Sequence, residues 1–144
     1  MSELTLDQAR AIVAATLSKG AAEGFNPLAV AVLDGGGHLK AFERQDGASL
    51  MRPQIAHGKA YGALAMGLGS RALFARAEQQ PYFINAMNAL AGGALVPVPG
   101  GVLIRDGEGR IVGAVGVTGD TSDNDETCAV AGIEAAGLKA DTGG

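Results

Sequence analysis

Two short apolar runs joined through three consecutive glycines, with a lysine-bearing helix close behind, constrain this chain more than any other feature. Leu28–Leu33 is an apolar run of strand length, and Leu39–Glu43 alternates apolar with polar residues. Between them stands Asp34-Gly35-Gly36-Gly37, a turn whose positive φ angles glycine adopts without steric cost. The second strand runs into Arg44-Gln45-Asp46-Gly47-Ala48, a corner dense in charge and small residues. A helix carrying Ile55, His57, Lys59 and Tyr61 follows. Strand ends feeding a helix start commonly hold small ligands. The stretch Asn26–Tyr61 is therefore the first place to look for function.

The flanking sequence reads as further helices and strands. Thr5 to about Glu23 is an amphipathic helix with an apolar-leaning stripe of Leu6, Ala9, Val13, Thr16 and Leu17. Thr5 and Gln8 have the capping-box spacing, and Gly24 suits the stop. Ser49 and Pro53 suit the start of the lysine-bearing helix, which Gly67 and Gly69 loosen. Ser70 is a good N-cap for Arg71–Gln80, a helix ended by Pro81, and Tyr82–Leu90 is another short helical segment. Ala94–Val98 reads as a short strand stopped by Pro97 and Pro99. Gly100-Gly101 turns the chain into Val102–Arg105, and Asp106–Gly109 leads to a strand over Arg110–Thr118. Gly113 and Gly116 inside that strand point to close contact with a helix or ligand. The last helix spans about Asn124–Lys139, with Ser122 or Asp123 as N-cap and Glu126 at capping-box spacing from Asp123. Clustered strands on short hairpins predict an antiparallel sheet in one α+β domain over residues 1–144.

Bulk properties narrow the function classes. Hydrophobic residues make up 47%, which excludes intrinsic disorder. No apolar run approaches the roughly 18 residues a membrane span needs. The start, Met-Ser-Glu-Leu-Thr-Leu-Asp, has neither a basic region nor an apolar signal core, so the expected location is the cytoplasm. The net charge of −4 argues against nucleic acid as a partner. Cys128 is the sole cysteine, which rules out an intrachain disulfide or a cysteine cluster. The 23 glycines lie within plausible strands and helices, where they allow close backbone approach and leave room for a ligand.

The chain resembles the HbpS/GlcG-like family, also called the haem-degrading or PduO C-terminal-like family. The resemblance is carried by Leu28–Leu39 and Ala41–Ala48, by Ile55-Ala56-His57-Gly58-Lys59-Ala60, and by Pro99-Gly100-Gly101-Val102. Ile111–Gly119 and Asp125-Glu126-Thr127-Cys128-Ala129 complete it, in one order across nearly the whole chain. The segment Arg71–Leu95 matches the family pattern least well. The resemblance implies a profilin-like fold, a five-stranded antiparallel sheet with flanking helices, assembled into dimers or larger homo-oligomers. Members bind or help degrade haem, sit beside glycolate or propanediol metabolism, or act on small catabolic acids.

Lys59 is the sharpest chemical candidate. It shares a helix face with Ile55, Ala56, Gly62 and Ala63, where burial favours a neutral amine able to act as base or nucleophile. The plainer alternative is a packed stem whose head reaches water or pairs with Asp46. Asp46 is the expected carboxylate partner, or a turn residue bonding its own backbone. Arg44 has the geometry to clamp a substrate carboxylate, or else is a solvated surface cation. Gly100 and Gly101 offer backbone amides to an oxyanion, or serve only their turn. Gly119 precedes a helix N-terminus that attracts anions, a place Asp120, Asp123 and Asp125 can themselves fill. Those acids do not have calcium-loop spacing. Tyr61 offers a phenol donor to substrate or an aromatic for packing.

His38 and His57 are the two imidazoles available to haem iron, and they are too few for a dedicated metal site. His38 reads as a solvated strand residue, and Cys128 as a small buried one. The leading expectation is a cofactor-free lyase or isomerase on a small oxygenated or aromatic-derived acid. Lys59 and Asp46 would move protons while Arg44, Gly100, Gly101, Gly119 and Tyr61 hold the substrate. The alternative is a haem-binding or haem-degradation accessory protein using His38 or His57. A non-catalytic sensor or scaffold on the same domain is the third reading.

Overall fold

The computed structural model describes residues 3–144 and forms one α+β unit. Met1 and Ser2, the first residues of the N-terminal stretch read above, lie outside the described residues. The elements in order are α1 (Leu6–Glu23), β1 (Ala29–Asp34), β2 (Leu39–Arg44), α2 (Arg52–Met66), α3 (Ser70–Gln79) and α4 (Pro81–Leu90). They are followed by β3 (Gly101–Arg105), β4 (Ile111–Thr118), α5 (Ser122–Ala135) and β5 (Lys139–Asp141). The five strands make one antiparallel sheet in the order β2-β1-β4-β3-β5. Five antiparallel strands are as the sequence resemblance implied, although one of the five differs. Ala94–Val98 is not a strand, because Pro97 and Pro99 cannot donate to a ladder. The fifth is β5, three residues at the edge beyond β3, inside what reads from sequence as the tail of the last helix.

Alternation along β1 explains the layering. Val30 and Val32 join the large core formed with Ile12, Val13, Cys128, Ala129 and Ile133 of α1 and α5. Ala29, Ala31 and Leu33 face the other way, toward α2 with Ala56, Ala60 and Ala63. Both faces of the central strands are thus buried, which is why β1 reads as a continuous apolar run.

Small residues on the α2 side bring that helix unusually close. Gly101 of β3 pairs with Gly116 of β4, and the two form a bare patch on the sheet. A Cβ on Gly116 would lie 1.8 Å from the Ala56 carbonyl oxygen, and one on Gly101 would lie 2.2 Å from that of Lys59. The backbone of α2 fills the space two side chains would take. This seats Lys59 over the end of the sheet.

Local signals mostly have their expected effects. Thr5 and Gln8 form the reciprocal capping box, and Gly24 closes α1 with a left-handed φ of 72°. Ile12 and Gly20 share the buried face of α1, while Leu6 at its start is exposed. Two caps differ. Thr121, rather than Ser122 or Asp123, caps α5 by accepting from the Asn124 amide. Gly69 precedes α3, and Ser70 is buried inside it, its hydroxyl accepting from the Gly101 amide at 2.7 Å.

Candidate functional site

Helix α2 sets the chemistry through side chains on two different faces. Lys59 points inward and is 2% exposed. Its Nζ donates to the Val117 carbonyl at 2.9 Å and to Asp125 Oδ2 at 3.1 Å. Asp125, in the first turn of α5, is 1% exposed, and its Oδ1 accepts from the Asp120 amide at 3.0 Å. Burial pushes the Lys59 pKa down, opposed by Asp125, and pushes that of Asp125 up, opposed by Lys59. Arg52, on the preceding turns of α2, adds positive potential that also disfavours the ammonium. Its guanidinium donates to Thr118 Oγ1 at 2.7 Å and to Ser49 Oγ at 3.1 Å.

The carboxylate at Lys59 is therefore Asp125 and not Asp46. Asp46 is exposed in a shallow cavity with Phe25, Pro27 and Arg44. Asp125 lies 66 residues from Lys59 in the chain, and no local spacing ties them. Arg44 closes its own corner, donating to the Ala48 carbonyl at 2.8 Å.

The glycine turn is likewise engaged within the fold. The Gly101 amide is bonded to Ser70, so it does not stand open to an oxyanion. The Gly100 carbonyl accepts from the Val117 amide at 2.9 Å. Gly100 has φ of 120°, and a Cβ there would meet Lys59 Nζ at 2.8 Å, so this glycine is what lets the ammonium sit under the turn. Gly119 bends against Pro27, whose carbonyl oxygen would lie 2.2 Å from an added Cβ. Beyond it, Asp120 accepts from the amides of Asn26 and Thr121 and from the Asn124 side chain. Asp120 and Asp125 thus bond the loop before α5, while the cap of the helix itself is Thr121, which accepts from the Asn124 amide.

The two histidines have different surroundings. His38 is 81% exposed in its side chain, with Nδ1 3.4 Å from Asp34 Oδ1; it is solvated as expected but lies in the turn just before β2 rather than in a strand. His57 projects from α2 into a cleft of about 530 Å³ between β2, α2 and the Gly93–Val96 segment. Ala31, Leu39, Phe42, Met51, Ile55 and Val96 line the cleft. The wall opposite α2 comes close because Gly58 has no side chain: a Cβ there would meet Val96 Cγ2 at 2.5 Å. The Val96 amide donates to the Gly58 carbonyl, and the Leu95 amide to Asn88 Oδ1. Tyr61 stacks beside His57, with ring centroids 5.9 Å apart. Lys59 and His57 thus face different places, as their two-residue spacing on a helix requires. Among the described residues, no group of three or more His, Cys, Asp or Glu side chains is disposed to hold a metal ion. No helix among them is long and apolar enough to cross a membrane.

A family model described as haem degrading protein HbpS-like matches residues 4–134. The chain belongs to the HbpS-like family. The HbpS-like fold recurs in solved structures. The haem complex of PduOC superposes with a TM-score of 0.85 at 22% identity, covering 95% of this chain and 97% of that one. The ORFY protein of Klebsiella pneumoniae gives 0.85 at 23% identity, over 95% and 93% of the two chains. HbpS gives 0.79 at 27% identity, over 93% and 90%. No curated protein matches the chain. Sequence reasoning reached this HbpS-like frame and placed Asp125 and Ser70 at helix starts, but not their bonds to Lys59 and Gly101, that of Arg52 to Thr118, or the cleft walls. Each joins residues distant in sequence.

Proposed function

We propose that this chain binds haem, with the porphyrin in the cleft between β2, α2 and Gly93–Val96 and the iron held by His57. The observation that carries the reading is one imidazole set among apolar walls in a cleft of about 530 Å³. That size is usual for a small-molecule or cofactor site. The donor set fits: histidine is the common axial protein ligand, and Leu39, Phe42, Ile55 and Val96 suit the faces of a porphyrin. No lysine or arginine lines the cleft, so its walls offer apolar contact rather than a charged partner. Haem, when bound, supplies its own redox and oxygen chemistry. This chain's residues would supply an imidazole nitrogen from His57, apolar contact and partial exclusion of water. The family description and the PduOC haem complex support the same reading.

Titration with haemin tests it. The expected result is a sharp Soret band saturating at one haem per chain, lost in His57→Ala and retained in His38→Ala. No saturable band, or one indifferent to His57→Ala, would overturn the assignment.

A cofactor-free lyase or isomerase working through Lys59 and Asp46 has less behind it. Lys59 lines neither the His57 cleft nor the hollow at Asp46, both its bonds are internal, and Asp46 sits elsewhere. That reading requires a small acid that raises the melting temperature of the wild type and not of Lys59→Met. We also infer a homo-oligomer, because β2 is an unpaired sheet edge and Leu50, Met51, Tyr82 and Leu90 stand 62–89% exposed. Sedimentation at micromolar concentration distinguishes this from a monomer.

A further inference from the structure

His57 lacks the usual device for fixing a ligating imidazole. Such a ring normally donates its second N–H to a carboxylate or carbonyl, which sets its orientation. Among the described residues, neither nitrogen of His57 makes a hydrogen bond to protein. Tyr61 lies one turn further along α2, on the same face. Its ring is nearly parallel to the imidazole, with an interplanar angle of 13° and centroids 5.9 Å apart. That is within the range favoured for offset aromatic pairs.

Tyr61 is itself anchored on two sides. It packs against the buried cluster of Leu33, Ala60, Ala63, Leu103 and Ala114. Its ring also borders the β1–β2 turn, where a Cβ on Gly37 would lie 3.8 Å from Cδ1 and Cε1. The tyrosine is thus a fixed plate, held by the core and by the hairpin that leads into β2.

We propose that Tyr61 is a positioning residue: its ring, stacked on His57, holds the imidazole in one orientation at the cleft. It takes the role that a hydrogen bond to the far ring nitrogen has elsewhere. The inference rests on the reading of the cleft as the haem site. The aromatic ring carries the effect and the phenol oxygen does not, so phenylalanine should serve equally well.

Two measurements on Tyr61→Phe and Tyr61→Leu test it. In the ligand-free protein, ¹³C relaxation at His57 Cε1 reports how tightly the imidazole is held. Wild type and Tyr61→Phe should show an ordered ring, and Tyr61→Leu a mobile one. Haemin titration then reads the consequence. Tyr61→Leu should bind about two- to tenfold more weakly, the usual loss when a side chain must be immobilised on binding. Its ferric complex should show a broadened electron paramagnetic resonance signal, and Tyr61→Phe should restore both affinity and signal. An equally ordered ring in Tyr61→Leu, or an unchanged affinity and spectrum, would overturn the positioning role. Failure of the haem reading looks different: Tyr61→Leu would still loosen the ring, while His57→Ala bound haemin as the wild type does.

Discussion

Lys59 Nζ and Asp125 Oδ2 lie 3.1 Å apart where water is excluded, the two residues being 2% and 1% exposed. The pair ties α2 to α5 across the end of β4, whose Val117 carbonyl takes a second bond from the same ammonium. Burial disfavours the charged form of each partner, and each is the other's main compensation. Removing one partner leaves the other's charge buried and unmatched. Lys59→Met and Asp125→Leu should each destabilise by about 3–5 kcal/mol. The double variant should lose much less than the sum of the two. Urea denaturation of the three proteins decides it, and strict additivity would argue against a coupled pair.

Acid sensitivity should trace partly to Asp120. Bonds from the Asn26 amide, the Asn124 side chain and the Thr121 amide hold its pKa below the ordinary aspartate value of about 3.9. Between the two values the unfolded chain binds more protons than the folded one, so stability falls as pH drops through this window. The contribution is fully present above about pH 3.9. Asp120→Asn should flatten the acid limb of melting temperature against pH, with little change in its slope above pH 5. An unchanged acid limb would place the sensitivity elsewhere.

Gly116→Ala should disturb the fold more than any surface change. Its methyl group would meet the Ala56 carbonyl oxygen at 1.8 Å, and a backbone atom cannot swing aside as a side-chain tip can. Forcing α2 off the sheet should cost about 3 kcal/mol, the upper part of the overpacking range. Thermal and urea unfolding measure it, with Gly107→Ala as the control, where an added Cβ meets nothing within 4 Å.

Cys128 should be inert in the native protein. Burial and the nearby Asp125 charge push its thiol pKa up to about 11, leaving almost no thiolate at neutral pH. A thiol reagent should label it only as fast as the chain unfolds, and label it fully in denaturant. Rapid labelling under native conditions would show that the α1–α5 layer opens readily.

Much of the architecture was legible because its signals are local. The capping box of Thr5 and Gln8, the glycine turn after Asp34 and the alternation in Leu39–Glu43 act within a few residues of themselves. The short hairpins that follow from them made the sheet antiparallel. Ala94–Val98 misled because apolar residues of strand length also suit an extended wall packed on a helix, and Gly58 is what made room for that wall. The stretch from about Pro53 to Met66 was legible as a helix, and Lys59 as a residue on its apolar face. The sequence by itself thus determined the family, the order of most elements and the place of Lys59 on an apolar helix face.

Only the tertiary structure decided what those residues meet. Asp125, rather than the nearer Asp46, reaches Lys59 because the paired glycines 101 and 116 draw α2 against the sheet beside the α5 N-terminus. Likewise His57, rather than His38, gained an apolar cleft, because Phe42, Ile55 and Val96 converge there from three separate segments. Partner choice between side chains far apart in sequence follows from which backbones can approach, and that is settled only when the elements pack.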